Sequence, residues 1–288
     1  MTIHHWDKVA ELGTTGSLRI EYVKRDHHTI IARSHCTSPW HLFPPIYLDD
    51  SGAAYTLLLN PSGGLVGGDR LTIDLVLRAN AHAIISTPSA NRVYRSSSKD
   101  RESAQTVRLV VGAGAILEWV PEHTIPFAGS RFRQAIRVRL APGGSVVLWD
   151  ALASGRMARG ERWSLATLEN DLTIATASGG LLKERFCLGD HAGHSAGIAR
   201  AWDYVGSLYI ISDATPADKW KSLEAGIFEI LDGEPGRLLG GISRPAVSGL
   251  VVKLVARSAP VLTAVLEQLW TTVRLALWGL PPVILRKY

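Results

Sequence analysis

From Leu71 the chain alternates: Leu71, Ile73, Leu75 and Leu77 fall on one side of an extended backbone, Thr72, Asp74 and Arg78 on the other. Successive side chains of a strand point to opposite faces, so a period of two predicts a strand with one dry face. Leu18, Ile20 and Tyr22 keep the same beat, and short runs recur at 83–87, 106–111, 116–120, 145–149 and 172–177. Glycine turns separate them: Gly112-Ala113-Gly114, Ala141-Pro142-Gly143-Gly144 and Gly179-Gly180. Short strands at roughly ten-residue spacing with glycine turns predict a mainly β chain, in a sandwich, barrel or solenoid-like arrangement. Strands do not alternate with helices, which argues against a Rossmann-like sheet.

Two amphipathic helices are predicted in the C-terminal third. Thr215-Pro216-Ala217-Asp218 offers a hydroxyl cap, a proline that loses no donor at the first helical position, and an early carboxylate. Trp220, Leu223, Ile227 and Leu231 then recur on one face until Gly233. A second stripe of Leu262, Val265, Leu266, Leu269, Val273 and Leu277 begins near Pro260 and stops at Gly279, before Pro281-Pro282. Such stripes pack on a sheet or dock another protein.

Hydrophobic residues at 46% and charged residues at 20% of the 288 fit a folded globular chain. The net charge of +5 is modest and spread along the sequence. It is as compatible with an acidic protein partner as with nucleic acid. Two cysteines, Cys36 and Cys187, imply no disulfide framework, and a reducing cytoplasm is expected. MTIHHWDKVAELG has no cationic start followed by an apolar core, so no signal peptide is expected. Glu267, Gln268 and Arg274 interrupt the longest apolar stretch, so no membrane span is expected.

NPSGGLVGGDRL (60–71) has the glycines of a phosphate loop without its chemistry. A Walker loop needs a lysine and a hydroxyl after its last glycine; here Asp69-Arg70 follows, and the aspartate repels phosphate. The dinucleotide spacing is absent, and a strand follows where a helix should start. The glycines therefore predict turns or a close backbone approach. Ser62 and Ser154 precede glycines, but neither lies in G-x-S-x-G; a triad assembled in space stays open, as does a β-rich metal-dependent hydrolase. Adjacent pairs such as His4-His5 and His27-His28 chelate poorly on a strand. Cys187, His191 and His194 bring a thiolate and two imidazoles within eight residues, without a fourth ligand or a common zinc spacing. Asp69, Glu118, Glu122, Asp150 and Glu161 offer hard oxygen donors, each equally suited to pairing with arginine.

RFRQAIRVRL (131–140) puts Arg131, Arg133, Arg137 and Arg139 on one strand face and Phe132, Gln134, Ile136, Val138 and Leu140 on the other. Either carboxylates on neighbouring strands pair with the arginines, or the face is a basic patch. Nucleic acid would favour aromatics beside the cations, and this face has none.

Four motifs in order, NPSGGLVGGDRL (60–71), STPSANRVYRS (86–96), LEWVPEHTIPFAGSRFRQ (117–134) and GRMARGERW (155–163), resemble the urease accessory protein UreD (UreH) family. RPAVSGLVVKL (244–254) and WGLPPVILRKY (278–288) resemble its tail less sharply. The resemblance implies one domain over 1–288, strand-rich to 212 and helix-containing from 213, with a mainly β, solenoid-like fold. It implies a scaffolding chaperone of urease maturation that is not itself an enzyme. Its implied partners are the urease apoprotein, UreF and, through UreF, the GTPase UreG, which carries the nucleotide chemistry that the glycine run lacks. Neither nucleic acid nor membrane is an implied partner. No tightly bound cofactor is implied; nickel passes transiently, and an internal tunnel has been proposed in the family as its route.

A transit path needs weak ligands, which makes Asp69, Glu118, Glu122 and Glu161 the nickel candidates. Gly63, Gly64, Gly67, Gly68, Arg70, Tyr94, Arg95, Gly155, Arg156, Arg159 and Gly160 are the motif residues expected to serve structure or partner contact. Two departures stand out. Pro88 and Arg92 replace the glutamine and lysine usual in the second motif, and His123 stands where glutamate is common. Proline removes a backbone donor, which predicts an edge strand or an early strand end there.

Overall fold

The computed structural model describes residues 13–189 and 202–285. Its strands form two sheets. The first runs β14 (Leu181–Gly189), β13 (Thr167–Ala175), β11 (Arg131–Leu140), β8 (Ser103–Val111), β5 (Arg70–Leu77), β1 (Thr15–Arg25) and β2 (His28–Cys36). The second runs β16 (Leu238–Ser243), β17 (Gly249–Ala256), β15 (Tyr204–Ser212), β12 (Ser145–Ala153), β9 (Ile116–Trp119), β6 (His82–Ser86), β4 (Ala54–Leu59) and β3 (His41–Leu42). The short strands β7 (Asn91–Val93) and β10 (Thr124–Pro126) join it beside β12.

Between β4 and β13 the long strands alternate between the sheets, one passing to each in turn. Neighbours within each sheet are parallel along this stretch. The chain thus coils around the space between the sheets, and the return path of each parallel pair is a strand of the opposite sheet, where a helix would usually lie. Antiparallel strands finish the edges: β2 and β14 on the first sheet, β3 and β15 to β17 on the second.

The alternation maps onto this coil. Leu71, Ile73, Leu75 and Leu77 are all buried, as are Leu18, Ile20 and Tyr22, and they meet Leu117, Val146 and Leu148 of the second sheet. The other face of the second sheet is also apolar. Val147, Leu208, Ile210 and Val252 lie under α1 (Ala217–Asp232) and α2 (Ala259–Trp278), whose predicted stripes are buried there. A fully buried Leu or Ile contributes about 1.5–3 kcal/mol, so each stripe secures its helix to the sheet. Gly279 closes α2 with a left-handed φ of 65°. The start of α1 differs in detail from its prediction: the Thr215 hydroxyl bonds Ser212 Oγ at 3.0 Å and makes no cap.

The outer face of the first sheet is a charged ladder. Arg133 lies 3.3 Å from Glu102 and 3.5 Å from Glu169, and Arg137 lies 3.0 Å from Asp171. β6 ends at Ser86, so Pro88 falls after the strand.

Candidate functional site

The glycine loop docks on the second motif. Leu65 N–H donates to the Arg92 carbonyl at 2.7 Å and the Leu65 carbonyl accepts from Tyr94 N–H at 2.8 Å, a one-residue bridge to β7. Gly64 makes this approach possible: a Cβ there would lie 2.4 Å from the Arg92 carbonyl oxygen, and its φ is 154°. Asp69 then ties the loop. It is 6% exposed, and its carboxylate accepts from Thr14 N–H at 2.7 Å and Val66 N–H at 2.9 Å.

From this loop the motifs touch one another in turn. The Tyr94 hydroxyl donates to the Gly63 carbonyl at 3.3 Å, and the Tyr94 ring meets Phe127 edge-on at 5.0 Å. The Arg156 guanidinium lies 4.1 Å over the Phe127 ring, within cation–π range. Arg156 Nε also donates to Glu161 at 2.8 Å, and Glu161 accepts from Ala128 N–H at 3.1 Å. This bond from Arg156 holds the Glu161 carboxyl below the usual range. Arg95 pairs in a β-bridge with Ser130, while Arg159 and Gly160 lie exposed in the turn that returns to Glu161.

Beneath these motifs lies a cavity of about 70 Å³, space for a few water-sized occupants. Gly63, Gly64, Asn91, Pro121, Glu122 and Thr124 line it from the motifs; Ile73, Gln105, Gln134, Ile136 and Asp150 line it from the inner faces of the sheets. Asp150 is its most distinctive group. Gln134 Nε2 donates to Asp150 Oδ2 at 3.3 Å, and Asn170 Nδ2 donates to the same oxygen. Burial pushes the Asp150 carboxyl up, against those amide bonds and the charge of Lys253.

A second, mostly apolar cleft of about 620 Å³ lies between β14 and β16–β17. Lys253 and Glu184 line it, and Lys253 Nζ donates to Tyr209 Oη at 2.8 Å, Ser207 Oγ at 2.9 Å and Glu184. Ser207, which lines this cleft, stands opposite Asp150 across β12 and β15, which places the inner end of the cleft near the cavity.

The four nickel candidates sit in different settings. Glu122 lines the cavity. Asp69 binds its own loop and Glu161 binds Arg156. Glu118 has no solvent exposure: His82 Nε2 and Arg274 Nη1 each lie 2.5 Å from its Oε1, and Trp270 Nε1 donates to Oε2. Arg274 Nη2 reaches Asp49 at 2.5 Å. Burial raises the Glu118 carboxyl, but the bond and charge of His82 and the Arg274 guanidinium outweigh it and hold it below the usual range.

His123 sits beside Glu122, its Nδ1 3.5 Å from Oε2, while its buried Nε2 has no hydrogen-bond partner among the described residues. Cys187 is exposed on β14 opposite Glu169; His191 and His194 lie outside the described residues. Among the described residues, no three His, Cys, Asp or Glu side chains form a metal-holding group. The Ser62 hydroxyl donates to Asn60 and Gly64, and the Ser154 hydroxyl to Met157 and Asp203; neither shows a bond to histidine among the described residues.

Asp150 and His123 were both named from the sequence, but the cavity position of the first and the buried Nε2 of the second, without a hydrogen-bond partner among the described residues, were not legible there. Asp150 stood among the oxygen donors, but nothing local marks it as facing Gln134 and Asn170, residues of the other sheet.

Comparison with known proteins follows the motifs. A family model described as UreD urease accessory protein matches residues 14–287. A Cupriavidus necator protein named urease accessory protein UreD is 31% identical over 268 residues, 91% of this chain and 90% of the relative. A protein of that name from Cupriavidus metallidurans is 30% identical over 99% of both chains. One from Nostoc is 38% identical over 151 residues, 52% of this chain and 53% of the relative.

Proposed function

Because this chain belongs to the UreD family of urease accessory proteins, we propose that it matures urease as a scaffold, holding UreF and the urease apoprotein while nickel is delivered. The match across residues 14–287 carries this reading. UreG joins through UreF and supplies GTP hydrolysis. This chain performs no catalysis of its own and works in the cytoplasm; no helix among the described residues is long and apolar enough to cross a membrane.

Nickel is the cargo, and the space between the sheets is its route. Glu122 offers a carboxylate on the cavity wall and Asp150 a second; next to Glu122 in the chain, outside the cavity lining, His123 holds an imidazole nitrogen with no hydrogen-bond partner among the described residues. Oxygen donors and one imidazole suit a divalent nickel ion, and their sparse placement favours passage over retention. Asp69 and Glu161, bonded within the motif wall, keep that wall in place. Glu118 anchors α2 to the second sheet. UreF docks on the helix layer, where Phe228 and Leu275 are 47% and 62% exposed.

The test is reconstitution. The chain is co-expressed with apo-urease, UreF and UreG, and complexes are isolated by pull-down. The reading requires apo-urease and UreF to be retained and urease to be activated only when the chain is present. Activation without the chain, or a chain that retains neither partner, would contradict it.

A further inference from the structure

The outer face of the first sheet carries more positive charge than its own pairing uses. One row across it reads Arg19, Asp74, Arg108, Arg137, Thr173, Lys183, four cations and one carboxylate on six adjacent strands. Asp74 is shared, 3.4 Å from Arg19 and 2.9 Å from Arg108. Arg108 and Arg137 stand directly opposite each other and are offset by Asp74 on one side and by Asp171, 3.0 Å from Arg137, on the other, which leaves Arg139 and Lys183 to add uncompensated charge. The next row reads Glu21, Val76, Val110, Arg139, Ala175, Leu181, with Glu21 lying 2.5 Å from Arg78. Val110 is 41% and Leu181 56% exposed, and among the described residues neither Arg139 nor Lys183 has a carboxylate partner.

Exposed ion pairs contribute little to folding, so internal stability does not account for this face. Its chemistry suits recognition. Guanidinium groups grip carboxylates in two-pronged bonds, arginine is enriched in protein interfaces, and the apolar row supplies area that loses water on contact. The two rows hold no aromatic side chain on which bases would stack.

We propose that these two rows dock a carboxylate-rich surface of the urease apoprotein, an occupant that rests on the maturation reading above. The test uses the full chain purified with its UreF partner, as wild type, R108Q/R137Q and R108E/R137E. Apo-urease binding is measured at low and at physiological salt, with binding to a double-stranded DNA of mixed sequence in parallel. Wild-type binding to apo-urease should weaken with salt. The glutamine pair should lose about tenfold in affinity and the glutamate pair more, with UreF retention and melting unchanged. The glutamine pair guards against misfolding, because it introduces no repulsion with Asp74 or Asp171. Undiminished apo-urease binding by both variants would overturn this surface while leaving the maturation reading intact. Wild type that fails to bind apo-urease would overturn both. A loss confined to DNA binding would overturn the proposal in favour of nucleic acid.

Discussion

Arg274 Nη1 lies 2.5 Å from Glu118 Oε1, and neither side chain has any solvent exposure. The pair joins α2 to β9, and His82, Trp270 and Asp49 complete the network. Removing one member of a buried ion pair strands the other charge, which costs about 3–5 kcal/mol, whereas replacing both by apolar residues can be nearly neutral. Glu118→Gln should therefore lower the urea midpoint sharply, and E118L/R274M should recover only part of the loss, because Trp270, His82 and Asp49 lose their partners. A near-wild-type midpoint for Glu118→Gln would show that α2 is not anchored here.

Two motif glycines should respond to the same change with losses of different size. At Gly64 a Cβ would strike the Arg92 carbonyl, whereas at Gly160, with φ 71°, nothing lies within 4 Å. Gly160→Ala should cost only the left-handed backbone strain, about 1 kcal/mol. Gly64→Ala should displace the loop from β7 and cost on the order of 3 kcal/mol. Thermal unfolding of both variants checks this; equal losses would mean that the close approach at Gly64 is not rigid.

Asp150 predicts a pH dependence of known sign. Its folded pKa is raised, chiefly by burial. The site thus favours folding below the unfolded value of about 3.9 and loses that support as pH rises through the folded pKa. Above the folded pKa the ionised carboxylate is a net cost. Asp150→Asn can still accept the amide bonds of Gln134 and Asn170, so it should match or exceed wild-type stability near neutrality. Its advantage should shrink toward about pH 4. Unfolding midpoints across pH decide this, and a variant uniformly less stable than wild type would contradict it.

The helix layer predicts a separable partner surface. Phe228 and Leu275 are exposed on α1 and α2, which pack together over the second sheet. F228E/L275E should abolish retention of UreF and leave apo-urease binding by the isolated chain unchanged, as read by pull-down. Loss of both partners, or of neither, would remove this assignment.

The strands were legible because one face of each is dry: the prediction for 131–140 coincides with β11 from end to end. Which sheet each strand enters was not legible, since alternation records burial and carries no trace of the pairing partner. The coil is built from contacts between strands distant in sequence, such as Arg70 with Ala104 and Ala104 with Arg133. The glycine run announced a close approach, but its target, the Arg92 carbonyl, is made by a separate motif. Arg274 seemed an interruption of an apolar stripe. Its place four residues after Trp270, on the buried face of α2, was the available sign that its charge is met inside.

The most direct measurement of the central claim is the nickel content of urease matured with Glu122→Gln, Asp150→Asn and the double variant at limiting nickel. If the cavity between the sheets is the route, all three should retain UreF and apo-urease in pull-down. Nickel per urease active site should fall in each single variant and furthest in the double. Full nickel loading by the double variant, with an intact complex, would contradict the route.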